Sequence, residues 1–353
     1  MTNGFKEWYD EIMSRVKKII VIAGVAVAVL SLALFAGAHS RNISIVSVVK
    51  NSPTIIRTVF SDDVSSAGAL HGEEDGIITI ALLGIAGERS GNPAPYLTDT
   101  ILIAKIKITN GIAERVSLVS LPRDLYVQIP HSEEFTKINA LYLLGRERLT
   151  RDPEQFILEK LEDITGFAIQ YFIVFDMKTV ENIIDRLDGL SVYVPEDVSD
   201  PRFPNQSFGY EPFSVQKGWQ HMDGRTALRY MRTRNTIEGD LGRMKRQQHV
   251  VDAMRKKVYS LNLFWDMDKL LGIYEEVKAN VMTNMTEQNI KRLWTIARGV
   301  PFDAITMTAI GSGEAKDLVK EDHIRMGNVA AFVFVPTEGV EQYAAIGSYI
   351  QKQ

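Results

Sequence analysis

Hydrophobic residues fall into one long apolar run near the start of the chain and several shorter runs later on. The long run, residues 19–38, contains no charged side chain, and about 20 apolar residues are enough for a helix to cross a membrane. Lysines stand at positions 17 and 18, whereas only Arg41 follows the run closely. By the positive-inside rule, residues 1–18 are predicted to be a cytoplasmic tail and the remainder to be extracytoplasmic.

Two other interpretations of the long run stay open. Ala36, Gly37 and Ala38 resemble the small-residue cleavage site of a signal peptide, although the apolar region of a signal peptide usually spans about 7–15 residues. A buried helix of a soluble protein would show a polar face, which this run lacks. The pattern favours an uncleaved, single-pass anchor in the cell membrane, followed by an extracytoplasmic spacer over residues 39–76.

From residue 77 onward, apolar runs of strand length alternate with helical patterns. Strands are predicted over residues 77–85, 100–108, 115–121, 169–175, 190–194 and 330–335. Helices are predicted over residues 153–166, 177–187, 223–231, 242–259, 265–279 and 286–298. Asn110-Gly111 between two strand-like runs is typical of a hairpin, so the first five strands should form a mixed sheet. The alternation predicts an α/β fold with a central mixed β-sheet.

The pattern also predicts where the body of the protein begins and ends. Residues 77–300 should form one domain, which contains the candidate site residues described below. Residues 301–353 either complete that domain or form a small appendage. Hydrophobic residues make up 45% and charged residues 24% of the 353-residue chain, as in ordinary folded proteins. The absence of cysteine excludes disulfide scaffolds, iron–sulfur clusters and cysteine nucleophiles. A net charge of −4 argues against a nucleic-acid-coating protein.

Positive charge is concentrated in residues 225–257, which carry ten basic and three acidic side chains. Such a run is often only a solvated helix face, but three local features favour an anion site. Arg232 and Arg234 would lie on one side of an extended segment, and arginine forks grip phosphate oxygens. The turn over residues 239–242 leads into a predicted helix whose N-terminus favours anions. Arg243, Arg246 and Gln247 would share one face at that terminus.

Acidic residues at the ends of two predicted strands could supply the other half of a phosphate site. Asp99 stands at the start of the second strand, and Arg123 and Asp124 follow the third. Ligands of α/β folds bind at such strand ends, and Mg²⁺ is usually held by one or two carboxylates together with substrate phosphate. Taken singly, each acid is more often a turn former or a helix cap. The sequence has no Walker loop, no nucleophile elbow and no zinc helix, and its six histidines are scattered singly.

Several segments occur in the order in which a known family carries its motifs. They are TDTILIAKI (Thr98–Ile106), SLPRD (Ser120–Asp124), TKINALY (Thr136–Tyr142), DGRTALRYMRTR (Asp223–Arg234), DLGRMKRQQHVVDAM (Asp240–Met254) and VMTNMT (Val281–Thr286). Together they resemble the LytR-CpsA-Psr (LCP) family of envelope proteins, over about residues 77–298. The predicted membrane anchor also fits that family.

The resemblance implies an α/β/α layered domain outside the cytoplasmic membrane. It further implies a phosphotransferase of cell wall biogenesis, which moves a glycan polymer from a polyprenyl-pyrophosphate carrier onto peptidoglycan. The resemblance also implies roles for the residues at positions that match the family motifs. Asp99 would hold Mg²⁺ and, with Arg123 and Asp124, belong to the catalytic group. Pyrophosphate and its head group would be bound by Lys137, Arg232, Arg234, Arg243 and Gln247, together with Arg123.

Two positions depart from the family pattern. The family commonly has an aspartate shortly after the glycine of the first strand, but Gly84 is followed here by Ile85, Ala86 and Gly87. The family commonly has an arginine two residues before the metal-binding aspartate, where this chain has Leu97. Glu88 and Arg89 would replace the missing groups only if their loop folds back.

Two other functions compete with transfer. A non-enzymatic, membrane-tethered binder of phosphorylated glycans or lipids would use the same arginines. A regulator of envelope genes would match the label of transcriptional attenuator that this family has carried, but the predicted topology places the basic residues across the membrane from DNA.

Overall fold

The computed structural model describes residues 68–88, 94–148, 152–204, 209–233, 266–297, 304–326 and 329–353, with scattered positions from 246 to 261 and residue 300. The predicted tail, membrane anchor and most of the spacer lie outside these residues, as does most of the predicted helix over residues 242–259. Within the described ranges, no helix combines the length and the apolar character needed to cross a bilayer.

Fourteen strands are found within the described ranges. They are β1 (Ile77–Ile85), β2 (Thr98–Thr109), β3 (Ile112–Ser120), β4 (Tyr126–Gln128), β5 (Phe135–Lys137), β6 (Tyr171–Asp176), β7 (Leu190–Val194), β8 (Val198–Pro204), β9 (Tyr210–Val215), β10 (Gly218–Met222), β11 (Val281–Thr283), β12 (Ile305–Ala309), β13 (Val319–Met326) and β14 (Val329–Pro336).

Seven α-helices with defined bounds accompany the strands in the described ranges. They are α1 (Leu141–Glu147), α2 (Gln155–Thr165), α3 (Met177–Arg186), α4 (Gly224–Arg232), α5 (Met267–Asn280), α6 (Glu287–Ala297) and α7 (Ala344–Lys352). The predicted end of α2 is confirmed, since Gly166 caps it in the left-handed conformation at φ 73°, which glycine adopts without a steric penalty.

The predicted mixed sheet is confirmed and has six strands in the order β11-β6-β1-β2-β3-β12. β1 runs parallel to β6 and antiparallel to β2, which in turn pairs antiparallel with β3. The predicted hairpin is also confirmed, since Asn110 and Gly111 both have positive φ between β2 and β3. As a result, β1, β3 and β6 end at the edge of the sheet where β2 begins. We call this the carboxyl edge.

Both faces of the central sheet are covered by helices. Ile80 and Leu82 of β1 belong to a buried cluster that includes Ile183 of α3. Their neighbours Ala81 and Leu83 point to the other face, because side chains alternate along a strand, and belong to a second cluster with α2 and α7. Burial on both faces explains why the β1 sequence is an almost unbroken apolar run.

The predicted place of residues 190–194 in this sheet is wrong. β7 pairs with β10 in a separate two-stranded sheet. Its residues alternate between buried and exposed, which suits a ribbon with one solvated face rather than a strand covered on both sides.

Residues 301–353 divide between completion of the sheet and an added layer. β12 pairs in parallel with β3 and so extends the central sheet. β13 and β14 form a separate antiparallel hairpin, which includes the predicted strand over residues 330–335. α7 packs its Ile346 and Ile350 into the second cluster.

Candidate functional site

Four predicted site residues meet at the carboxyl edge. Arg123 Nη1 donates a hydrogen bond to Asp99 Oδ1, and Arg123 Nε lies 3.5 Å from Asp124 Oδ2. Lys137 Nζ donates to Asp124 Oδ1 at 2.6 Å. Two cations therefore alternate with two carboxylates. We call this group of Asp99, Arg123, Asp124 and Lys137 the edge cluster.

The backbone after β3 explains how residues distant in sequence reach one place. The Leu125 amide donates to the Pro122 carbonyl at 3.0 Å, which closes a turn around Arg123 and Asp124. Leu125 is fully buried and anchors that turn. Lys137 ends β5, where it pairs with Tyr126 of β4, so the short ribbon returns its side chain to Asp124.

The C-terminal region supports the same turn from outside the central sheet. The Phe334 amide of β14 donates to the Asp124 carbonyl at 2.9 Å, and Phe334 also bridges to Leu125. Residues 301–353 thus contribute a backbone contact to the edge cluster.

The edge cluster is accessible and electrically balanced. The side chains of Arg123 and Asp99 are 41% and 39% exposed, and those of Lys137 and Asp124 are 26% and 22% exposed. Partial burial opposes the charge of Arg123, but the carboxylates of Asp99 and Asp124 outweigh it and raise the pKa of this guanidinium. Arg123 therefore stays charged at every physiological pH, within reach of a ligand.

The donor set fits a divalent cation at Asp99 only in part. A carboxylate with 39% exposure is a suitable hard ligand for Mg²⁺, which commonly takes its remaining oxygens from water and substrate phosphate. Among the described residues, however, no group of three or more His, Asp or Glu side chains is placed to hold a metal. Arg123 also donates to Asp99 Oδ1, so a metal would share this carboxylate with the guanidinium or displace it.

Arg232 is placed by α4, the helix that begins in the predicted DGRTALRYMRTR motif. Asp223 caps the helix by accepting a hydrogen bond from the Thr226 amide at 2.7 Å. Hydrogen bonds from the side chain and the backbone of Thr226 lower the pKa of Asp223. Arg232 is exposed at the other end of the helix. Its guanidinium lies 6.0 Å from the centre of the Phe203 ring.

A buried contact connects the end of α4 to Arg246, later in the basic stretch over residues 225–257. Arg246, only 4% exposed, donates from Nη2 to the Thr233 carbonyl at 2.8 Å. This differs from the prediction that Arg246 shares an anion-facing surface with Arg243 and Gln247, because its buried guanidinium holds a backbone carbonyl instead. Arg234, Arg243 and Gln247 themselves lie outside the described residues.

A buried acid at the carboxyl edge was missed from the sequence. Asp176 ends β6 in register with Ile85, is 8% exposed, and caps α3 by accepting from the Thr179 amide at 2.6 Å. The signal for it was a single aspartate directly after the apolar strand run. Gly87 passes so close that an added Cβ would lie 2.5 Å from the Asp176 Cβ.

The acid proposed as a replacement after Gly84 has other contacts. Glu88 accepts a hydrogen bond from the Tyr96 hydroxyl, and Arg146 donates to the same hydroxyl at 3.0 Å and lies over the Tyr96 ring. Arg89 lies outside the described residues. Glu88 therefore contacts Tyr96 within the loop between β1 and β2, and it is Tyr96 that contacts Arg146 of α1.

The fold, the edge cluster and the ordered motifs together define the class of this protein. Its sequence matches the LytR_cpsA_psr family over residues 44–327. The chain belongs to the LytR-CpsA-Psr family.

Individual relatives share the family at moderate identity. The chain is 29% identical over 220 residues to the "Regulatory protein MsrR" of Staphylococcus aureus, covering 62% of this chain and 59% of the relative. It is 28% identical over 225 residues to the "Polyisoprenyl-teichoic acid--peptidoglycan teichoic acid transferase TagU" of Bacillus licheniformis, covering 63% of each. The matched region thus spans about three fifths of these relatives.

The fold is also similar to solved structures. The crystal structure of protein gbs0355 from Streptococcus agalactiae has a TM-score of 0.54 and 20% sequence identity, covering 80% of this chain and 89% of that one. At this identity the likeness supports the mixed α/β fold alone.

Proposed function

We propose that this protein is a membrane-anchored phosphotransferase that moves a glycan polymer from a polyprenyl-pyrophosphate carrier to peptidoglycan outside the cytoplasmic membrane. The observation that carries the proposal is the edge cluster, in which a permanently charged arginine and a lysine stand beside two carboxylates at the carboxyl edge. Membership of the LytR-CpsA-Psr family and similarity to the teichoic acid transferase TagU of Bacillus licheniformis support the same class of reaction.

The reaction needs positioning and charge neutralisation more than covalent chemistry. A sugar hydroxyl of the acceptor attacks the sugar-linked phosphorus of the pyrophosphate, and the bond from this phosphorus to the bridging oxygen breaks. Lipid monophosphate leaves, and the hydroxyl proton passes to a base or to solvent. Arg123, Arg232, Arg234 and Arg243, with Lys137 and Gln247, would grip the phosphate oxygens and stabilise the charge in the transition state.

Mg²⁺ would be held by Asp99 and by phosphate oxygens of the substrate. A bound Mg²⁺ would supply charge stabilisation at the leaving oxygen. If Asp99 held the cation instead of Arg123, the Arg123 N–H that now donates to Asp99 would be available to phosphate, and an arginine fork can make two parallel hydrogen bonds to an oxyanion. Ligand binding would thus exchange the internal ion pair for two external contacts.

The proposed location follows from the apolar run over residues 19–38. A single helix there would keep the N-terminus in the cytoplasm and the described domain outside. A reporter fused to the C-terminus tests this topology: activity on the outer side supports it, and activity in the cytoplasm contradicts it.

The activity is tested with the full-length protein in detergent, a lipid-linked glycan and peptidoglycan fragments. We expect Mg²⁺-dependent release of polyprenyl monophosphate together with covalent labelling of the acceptor. Arg123→Gln should lose both products, whereas Arg148→Gln should keep them, since Arg148 has the same 41% side-chain exposure but pairs with Glu134. Retention of the intact lipid-linked glycan by the wild-type protein would instead identify a binder without transferase activity.

A further inference from the structure

The β8–β9 hairpin places two aromatic rings against α4. Phe203 and Phe213 are 4% and 8% exposed, and their ring centres lie 5.6 Å apart. On α4, Arg225, Arg229 and Arg232 recur at spacings of four and three residues, which puts them on one side of a helix. The two rings lie beside the last two arginines of this row, Arg229 and Arg232.

Arg229 attaches the hairpin to α4. Its guanidinium lies 5.0 Å from the centre of the Phe203 ring and 4.8 Å from that of Phe213. Its Nη2 also pairs with Glu211 Oε1 of β9 at 2.9 Å. Two rings and one carboxylate thus contact this arginine, so its charge serves to fix the position of the hairpin.

Phe203 also contacts the next arginine of the row. Of these two rings, Phe203 is the one that lies near both Arg229 and Arg232, at 5.0 Å and 6.0 Å. A guanidinium within about 6 Å of a ring centre is attracted to the ring face by a cation–π contact, which restricts where that group lies. Such a contact does not use the N–H donors, which lie in the plane and are the groups that bind phosphate.

We propose that Phe203 is a positioning residue, whose ring holds the Arg232 guanidinium in the orientation that binds the diphosphate of the carrier lipid. This inference rests on the proposed function, because it assigns Arg232 to the diphosphate. It extends the site to a hairpin that carries none of the predicted ligands. The β8–β9 hairpin would thereby form a rigid aromatic support for one arginine of the diphosphate site.

Phe213 offers a matched control within the same hairpin. Phe203→Leu and Phe213→Leu each remove one buried ring and one stacking contact with Arg229. Both variants should therefore lower the melting temperature of the full-length protein by similar amounts. Only Phe203→Leu removes the ring under Arg232.

The first measurement is the affinity of the full-length protein in detergent for a polyprenyl diphosphate, by calorimetry. We expect Phe203→Leu to weaken binding about 2- to 5-fold, the equivalent of one exposed cation–π contact, and Phe213→Leu to leave it unchanged. Phe203→Tyr keeps the ring and should restore the affinity. Equal affinities for Phe203→Leu and the wild type, or equal weakening by both Leu variants, would overturn the inference while the proposed function stands.

The second measurement reads the arginine itself and needs no ligand. The Nε–Hε resonance of Arg232, assigned by its loss in Arg232→Lys, should be shifted by the ring and ordered in the wild type. It should become mobile and unshifted in Phe203→Leu but not in Phe213→Leu. If the wild-type protein binds no diphosphate, the proposed function fails and the role given to Phe203 fails with it. An Arg232 signal unaffected by Phe203→Leu would refute the contact itself.

Discussion

Replacement of Arg123 by glutamine separates a ligand-binding role from a structural one. The side chains of Arg123 and its partner Asp99 are about two-fifths exposed, and exposed ion pairs contribute only about 0.2–1 kcal/mol to stability. For a domain of this size, such a loss lowers the melting temperature by no more than about 4 °C. Arg123→Gln should therefore fold almost as well as the wild type.

The effect on diphosphate binding should be much larger. Removing one partner of a hydrogen-bonded charge pair that becomes buried in the complex costs about 2–5 kcal/mol in binding, and about 1.4 kcal/mol corresponds to tenfold in affinity. The substitution also leaves Asp99 and Asp124 with Lys137 alone, so the edge cluster changes from neutral to negative. We therefore expect the Kd for a polyprenyl diphosphate to rise about 30-fold or more.

The assay pairs differential scanning calorimetry with titration of a polyprenyl diphosphate into the full-length protein in detergent. Arg148→Gln is the control, because Arg148 is equally exposed and pairs with Glu134 at 3.6 Å. This control should change neither the melting temperature nor the affinity appreciably. A fall of 10 °C or so in Arg123→Gln, with affinity intact, would show that Arg123 is structural and would refute the reasoning.

Three further predictions follow from the sequence and the contacts. Arg234→Ala should abolish polymer attachment in cells with an almost unchanged melting temperature, and a large fall in melting temperature would mark it as structural instead. Glu341→Gln should cost about 3 kcal/mol in unfolding free energy, measured by urea titration, because it removes the counter-charge of Lys160, whose side chain is 5% exposed. Asp163→Asn, at a 62% exposed partner of the same lysine, should cost much less. A hydrogen bond from Arg292 of α6 lowers the pKa of Glu73 below its usual 4.5. The ion pair therefore contributes its full stability above pH 4.5, and this contribution is lost as the pH falls through the lower pKa of the folded state. The stability difference between wild type and Glu73→Gln should accordingly shrink on acidification, and a difference independent of pH would contradict this.

Local patterns were sufficient to predict the central strands and several helix ends. The apolar run of β1, the positive-φ pair Asn110-Gly111 and the stop at Gly166 each depend on nearby residues alone. The meeting of Asp99 with Arg123 also follows from local information, because strand ends at one edge of a sheet are neighbours.

Contacts between distant segments could not be predicted in this way. Lys160 is a charged residue on the buried side of α2, and its charge is balanced there by Glu341, which lies far along the chain. Phe334 reaches Asp124 through a hairpin whose pairing depends on tertiary packing. The β8–β9 hairpin was missed because its short strands contain prolines and lack a continuous apolar run.

The central claim is that one diphosphate is bound by the edge cluster together with the arginines of the basic segment. The most direct test is a crystal structure of the full-length protein with a polyprenyl diphosphate and Mn²⁺ in place of Mg²⁺. We predict phosphate oxygens at hydrogen-bond distance, about 3 Å, from the guanidinium groups of both Arg123 and Arg232, with the anomalous Mn²⁺ signal beside Asp99. A diphosphate bound elsewhere, with Arg123 still paired to Asp99 and Asp124, would contradict the claim.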